Sequence, residues 1–201
     1  MSLLILVRHG ESEWNASHQI TGQADIALTD LGKEQARQVG RKLKSTGVDT
    51  AYTSGLQRAI ETLHEIQTQR NKAVPHSKSM ALNERDFGTF TGRVKSEILE
   101  EIGAGAYATI LQRWDIPAPE GESLEMVYER VVPYFESAVL KELQSGKNVL
   151  VVSHHHALRT LVKYIEDLSN DELARLKLKN ADAVIYDFNP ETSVFLKQLL
   201  G

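Results

Sequence analysis

Two short runs, LLILV at residues 3–7 and NVLVVS at 148–153, are almost wholly apolar and rich in β-branched residues, and both end abruptly in polar side chains. A strand with one solvated face alternates apolar and polar residues, whereas a continuous apolar run of this length suits a strand buried on both faces, as in a parallel sheet covered by helices. TAYTS (50–54) and AVIYDF (183–188) have the same character. Helical periodicity fills the gaps between them. LTDLGKEQARQVGRKLKSTG sets Leu31, Gln35 with Ala36, Val39 and Leu43 on one side, opens at a capping Thr29 or Asp30 and stops at Gly47. The stretch from Ser123 to Gly146 repeats the form, with Pro133 predicting a kink or break, and ALRTLVKYIEDL directly follows the run that ends at Ser153. This order predicts an α/β fold: a three-layer sandwich with a mainly parallel central sheet flanked by helices, one domain over residues 1–201. The stretch from Gly88 to Gly121 has weak periodicity and holds Pro117 and Pro119, so it reads as an irregular excursion over the sheet edge.

Composition narrows the chemistry. The 201 residues contain no cysteine, which excludes disulfides, thiolate metal sites and cysteine nucleophiles together. A net charge of -4 argues against a nucleic-acid partner, which would call for a basic face. No apolar run approaches a membrane span, and the N-terminus lacks the basic start and cleavage site of a signal peptide, so a cytoplasmic chain without membrane contact is expected.

Sheets of this kind bind ligands beyond the carboxyl ends of their strands. Polar residues collect at three such ends: Arg8-His9-Gly10-Glu11-Ser12 after the first run, Gly55-Leu56-Gln57-Arg58 after the second, and His154-His155-His156 with Arg159 after the fourth-quarter run. Two arginines and at least one histidine converging in an acidic protein form a local positive pocket suited to a phosphate dianion. Neutral imidazole is also a nucleophile near neutral pH, and a second, protonated imidazole stabilises charge on a phosphoryl group in transfer. Each residue alone has a plainer reading: Arg58 as an ion-paired helix residue near Glu61 and Glu65, Glu84 in LNERDFG as a surface carboxylate, His9 as a surface feature. The triple histidine invites a metal, but consecutive residues of an extended strand point to opposite faces, the spacing matches no metal signature, and the helix that follows offers backbone N–H groups to an anion. No metal is expected.

Taken in order, LVRHGESEWN, Thr21-Gly22, LTDLGKEQA, TSGLQRAIET, LNERDFGTFTG, EGESL and SHHHALR resemble the histidine phosphatase superfamily, and within it the cofactor-dependent phosphoglycerate mutase branch, from Leu3 to about Asn189. The resemblance implies His9 as the phosphorylated nucleophile, Arg8, Arg58 and His154 as the phosphate pocket around it, and Glu84 as a general acid whose pKa burial beside a phosphate would raise. It further implies Asn15, Thr21 and Gly22 as a loop holding phosphate and substrate, and Lys95 as the partner of the substrate's carboxylate or second phosphate. The chain departs from that pattern in five places, with Phe87, Arg113, His155 and His156 still expected among the substrate-binding residues. His155 and His156 stand where mutases typically read Gly-Asn, Phe87 replaces a tyrosine, Arg113 alone stands for an adjacent Arg-Arg, and an insertion before ESL and a C-terminal tail are missing. A monomer is expected from the missing insertion. The implied activity is interconversion of 3-phosphoglycerate and 2-phosphoglycerate, primed by 2,3-bisphosphoglycerate; the alternative is a phosphomonoesterase acting on a small phosphorylated metabolite. A binding module without chemistry should have lost His9, Glu84 or His154, and all three are present.

Overall fold

A computed structural model describes residues 1–70 and 73–198. The apolar runs form the strands β1 (Ser2–Arg8), β2 (Thr50–Thr53) and β4 (Val149–Ser153), with β3 (His76–Lys78) beside β2, and β5 (Ala183–Asn189) and β6 (Val194–Lys197) closing the sheet in the order β3-β2-β4-β1-β5-β6. β1 to β4 are mutually parallel where they pair; β5 runs antiparallel to β1, and β6 antiparallel to β5. The expected sandwich is therefore present, with a mixed sheet whose antiparallel part is confined to one side. Every residue of β4 is buried, whereas β5 is buried at only part of its length, as its place toward the sheet edge dictates.

Period-two alternation sorts the central strands between two layers. Leu4, Leu6, Val149 and Val151 pack with the helices α5 (Leu124–Tyr134) and α7 (His155–Glu166). Ile5, Val7, Leu150 and Val152 pack on the opposite face with α2 (Asp30–Lys42) and α3 (Gln57–Arg70). Each such buried aliphatic side chain contributes roughly 1.5–3 kcal/mol. Small helices complete the chain: α1 (Glu13–Ala16), α6 (Leu140–Gln144) and α8 (Asn170–Arg175). Among the described residues no helix is long and apolar enough to cross a membrane.

Two local expectations change and a third takes a specific form. α2 is capped by the Thr29 hydroxyl, which accepts the Gly32 N–H at 3.0 Å, but it ends at Lys42 rather than near Gly47 and leaves Leu31 exposed, because Gly32 is the residue turned inward in that first turn. Pro133 lies inside α5, and the winding changes just after it to a π-helical segment, Phe135–Val139, before α6; the hydrogen bond that proline cannot donate is absorbed by that widened turn. The stretch from Gly88 to Gly121 is more regular than expected, since it carries α4 (Lys95–Gln112). Gly103, at φ 79° and ψ 155°, interrupts α4 and resets its helical phase, which hides the periodicity. Only Ile98 of α4 is fully buried, in a separate apolar cluster with Ile20, Phe87 and Phe90 that sits apart from the two main layers.

Candidate active site

β1 places His9 at its carboxyl end, where the His9 N–H still donates to the Ser153 carbonyl of β4 at 3.0 Å. The next turn is held by contact of glycine with glycine. A Cβ on Gly10 would lie 2.2 Å from the Gly32 carbonyl oxygen, and one on Gly32 would lie 2.0 Å from that of Glu11, so neither position accepts a side chain. The Gly10 N–H donates to the Thr62 hydroxyl at 3.0 Å, and Thr62 in turn donates to the Arg58 carbonyl at 2.7 Å. The His9 ring is fixed by its Nδ1, 2.6 Å from the Gly10 carbonyl oxygen.

Three further elements converge on that ring. His154, the N-cap of α7, is fully buried with its ring centroid 5.0 Å from that of His9, and its Nε2 lies 2.7 Å from the Ser54 hydroxyl at the end of β2. Arg58, in the first turn of α3, is also fully buried; its two terminal nitrogens donate to the carbonyls of Ala24 and Gly22 at 2.7 and 2.8 Å. Gly22 adopts φ +50°, which turns its carbonyl to that arginine and closes the 21–24 loop over it. Arg8 donates to the Leu178 carbonyl at 2.6 Å. Five buried polar atoms here have no hydrogen-bond partner: Arg8 Nε, Arg58 Nε, Thr21 Oγ1, His154 Nδ1 and His156 Nδ1. Buried donors left unpaired are costly, and an anion with several acceptor oxygens satisfies such a set.

Glu84 reaches the same place from an irregular segment. One carboxylate oxygen accepts the backbone N–H of Arg85 at 2.9 Å and that of His156, in the first turn of α7, at 3.0 Å. The His156 ring nitrogen Nδ1 is 3.5 Å from that oxygen, and the ring packs edge-on against Phe87 at 5.4 Å. His155 directs Nδ1 to the Leu178 carbonyl at 3.1 Å. The three consecutive histidines thus have three different partners, and among the described residues no group of three or more His, Cys, Asp or Glu side chains could hold a metal ion.

Electrostatics follows from burial. His9 and His154 are pushed well below the ordinary imidazole value, first by desolvation and then by the guanidinium of Arg58, so both are neutral near pH 7. His155 is pushed down to about 3, chiefly by desolvation, and His156 is lowered for the same reason, against the pull of Glu84. Arg58 is lowered to about 10 by burial and stays charged. Desolvation alone would raise the Glu84 pKa, but its contacts with His156 at the start of α7, aided by His154 and His155, hold it well below the usual carboxylate range. The raised value expected from the sequence is therefore not produced by the protein groups alone. A phosphate dianion beside that carboxyl would oppose its charge and raise it.

These groups open onto a pocket of about 270 Å³. Of the residues singled out in the sequence, Arg8, His9, Asn15, Thr21, Gly22, Arg58, Glu84, Phe87, Lys95, His155 and His156 line it, and His154 stands directly behind His9. Arg113 does not. It caps the far end of α4 with a side chain 65% exposed, 3.4 Å from Asp115, on a separate surface cavity. Sequence reasoning missed Gln19, Ile20, Tyr107 and Leu111 on the pocket wall. Tyr107 and Leu111 are four apart on α4, a helical signal obscured when that stretch is read as irregular. It also missed Asn180, whose amide donates to the carbonyls of His9 and Gly10, each at 3.2 Å, and to the Asn15 side-chain oxygen at 3.1 Å.

The family model described as histidine phosphatase superfamily (branch 1) matches residues 4–198. The chain belongs to the histidine phosphatase superfamily. Members of this superfamily are enzymes of phosphoryl transfer, which is the chemistry the cradle around His9 suits. Among its relatives, a 2,3-bisphosphoglycerate-dependent phosphoglycerate mutase of Bradyrhizobium diazoefficiens is 39% identical over 198 residues, covering 97% of this chain and 96% of its own. The 2,3-bisphosphoglycerate-dependent phosphoglycerate mutase 2 of Lactiplantibacillus plantarum is 35% identical over an alignment of 229 positions that covers both chains fully, so it carries segments this superfamily member lacks. Among solved structures, YhfR of Bacillus stearothermophilus superposes with TM-score 0.86 at 27% identity, covering 98% of this chain and 95% of its own. A putative alpha-ribazole-5'-P phosphatase of Escherichia coli gives TM-score 0.83 at 26% identity over 100% and 96%.

Proposed function

We propose that this histidine phosphatase superfamily member is a phosphoglycerate mutase that interconverts 3-phosphoglycerate and 2-phosphoglycerate through phosphorylated His9. The observation that carries this reading is Lys95. Arg8, Arg58 and the unpaired donors around them suit one phosphate; Lys95, at the start of α4 and exposed at its surface, lines the same pocket, and its pKa is lowered by partial desolvation and by Arg8. A second cation on the same pocket, its charge felt by Arg8, suits a substrate with two anionic groups. The full-length relatives at 35–39% identity that bear the mutase name support the same reading, and the Bradyrhizobium protein shows the name attached to a chain of this short form.

The pocket fits 2,3-bisphosphoglycerate by the chemistry of its donors. Arg8, Arg58, Thr21 and His154 would hold one phosphoryl group, with Lys95 and Asn15 toward the second anionic group. When bound, 2,3-bisphosphoglycerate supplies the phosphoryl group that loads His9. The Nε2 lone pair of neutral His9 forms the P–N bond as the P–O bond to the leaving oxygen breaks, and the arginines neutralise the phosphoryl oxygens in transfer. Glu84 gives its proton to that leaving oxygen, and takes a proton from the attacking hydroxyl when the group passes back to phosphoglycerate. The dianion itself favours the protonated carboxyl, so the acid is charged with its proton by substrate binding. All of these side chains come from one chain, which makes a monomer sufficient.

One observation favours the phosphomonoesterase alternative: Ile20, Phe87, Tyr107 and Leu111 give part of the pocket an apolar wall, where a glycerate moiety has little to bury. The test follows 2-phosphoglycerate and free phosphate together, starting from 3-phosphoglycerate with a trace of 2,3-bisphosphoglycerate. Rapid 2-phosphoglycerate with little free phosphate is expected; free phosphate without isomerisation would replace the mutase reading by the phosphatase one.

A further inference from the structure

Glu84 lies in a segment with no strand or helix of its own, between the single turns Met80–Leu82 and Gly88–Phe90, and such a segment needs partners for its carbonyls. One side chain supplies two of them and a third in the turn before. Arg130, on α5, donates through one terminal nitrogen to the carbonyls of Ala81 and Asn83, both at 2.9 Å, and through the other to the carbonyl of Glu84 itself at 3.0 Å. Its remaining edge takes both carboxylate oxygens of Glu122, at 2.7 Å from Nε and 2.8 Å from Nη2. All five N–H groups of the guanidinium are thereby used. Glu122 grips the far side of the same segment: its carboxylate accepts the Asp86 N–H at 2.8 Å, its own N–H donates to the Asp86 carbonyl at 2.9 Å, and its carbonyl accepts from Arg85 Nε at 2.7 Å.

We propose that Arg130, paired with Glu122, is a positioning residue that sets where the Glu84 carboxyl stands relative to the leaving oxygen. The inference rests on the reading of Glu84 as the proton donor. Neither Arg130 nor Glu122 lines the pocket, so neither touches substrate. Arg130 is instead anchored to the core, because Leu124, Val127 and Val131 of the same helix are fully buried. The clamp transmits that rigidity to the backbone at residue 84, while the N–H groups of Arg85 and His156 fix the carboxylate at its other end. Lysine in place of Arg130 keeps the charge but has three donors and no planar fork, so it cannot hold three carbonyls and a bidentate carboxylate together.

A proton donor matters only when the leaving oxygen needs a proton. An alkyl phosphate such as 2,3-bisphosphoglycerate gives up its phosphoryl group with a basic alkoxide as the leaving group; 2,4-dinitrophenyl phosphate releases a stable phenolate and gains little from an acid. The experiment measures phosphoryl transfer to His9 from both esters in wild type, Arg130→Lys, Glu84→Gln and the double variant. The expected result is a loss of about 10–100-fold with the alkyl ester and under about 3-fold with the aryl ester for Arg130→Lys, the scale of effect of misplacing a catalytic group. In the Glu84→Gln background, Arg130→Lys should then add nothing, the signature of two residues acting through one group. Equal losses with both esters, or additive losses in the double variant, would reduce Arg130 to general support of the fold and overturn the proposal. If Glu84→Gln itself spares the alkyl ester, the assignment of the acid is wrong and the proposal falls with it. Should Arg130→Lys fail to fold, Glu122→Gln, which keeps the shape of the partner and weakens the pair, is put through the same comparison with the same outcomes.

Discussion

The Nδ1 of His9 lies 2.6 Å from the Gly10 carbonyl oxygen, and because a carbonyl only accepts, that nitrogen carries the ring proton and the lone pair is left on Nε2. Burial and two arginines keep the ring neutral, so the proposed nucleophile needs no separate base. His9→Ala should therefore lower phosphoryl transfer by about 10⁴-fold or more while leaving a folded protein. Acid-labile protein-bound phosphate after incubation with substrate checks it: wild type accumulates the label, and a labelled His9→Ala variant would place the acceptor elsewhere.

The Gly10–Gly32 contact makes a separate claim on stability. Ala at either position sets a Cβ within 2.2 Å or less of backbone oxygen, which only a shift of the β1 turn against α2 relieves. Gly10→Ala is expected to cost about 1–3 kcal/mol, the range of overpacked cores, and to displace His9 as it does so. Denaturant unfolding measures the first effect and phosphohistidine formation the second. An unchanged midpoint with unchanged activity would show that the turn yields without strain.

Much of this architecture is legible in the sequence because the central strands are buried on both faces, and that burial leaves runs such as LLILV and NVLVVS with little freedom to be anything else. The polar residues just past those runs are legible for the same reason: an apolar strand that ends in Arg8-His9 has no packing cause to do so. α4 is not legible, since Gly103 breaks its phase and its apolar residues serve a small satellite cluster rather than a core layer. Arg113 matches a substrate-binding motif whose register the end of α4 does not keep; the helix stops at Gln112 and turns that side chain to solvent. The direction of the Glu84 pKa is not legible either, because it depends on imidazoles, that of His156 first, that meet the buried carboxyl only in three dimensions.

Asn180 is the clearest residue that sequence reading passes over, since an asparagine in a loop before β5 signals a turn and nothing more. Its single amide nitrogen joins the carbonyls of His9 and Gly10 to the Asn15 side chain, tying the nucleophile's backbone to the loop that faces the substrate. Asn180→Ala removes all three bonds at once and leaves two part-buried carbonyls without that donor. Loss of about 1–3 kcal/mol in stability is expected from that, together with a fall in kcat of roughly 10-fold or more from misplaced His9. Asn180→Asp, which keeps the shape and loses the donor, should behave alike; if the aspartate variant is as active as wild type, the donor is not what positions the turn.

The buried histidines of the site, His9, His154 and His156, and the half-buried His155 are all lowered from the ordinary value of 6.5, so they stay neutral in the folded chain at a pH where the unfolded chain protonates them. Between that value and their lowered ones, the unfolded state binds more protons than the folded state, and stability therefore rises with pH. The stabilisation is complete above about pH 6.5 and is lost as pH falls below it, with each excess proton contributing up to about 1.4 kcal/mol per pH unit. Glu84 continues the trend in the same direction lower down: its pKa is held below 4.5, so its contribution is present above that value and drains away as pH falls through its own lowered one. Unfolding free energy measured from pH 7.5 to pH 5 should fall with a slope of several protons, steeper than exposed histidines would give. Saturating inorganic phosphate should flatten that slope, because a dianion against His9 and His154 favours their protonated forms in the folded state and narrows the difference between the two states. A flat profile without phosphate would mean that these rings are protonated or solvated in the folded chain, and the neutral nucleophile on which the proposed chemistry depends would go with it.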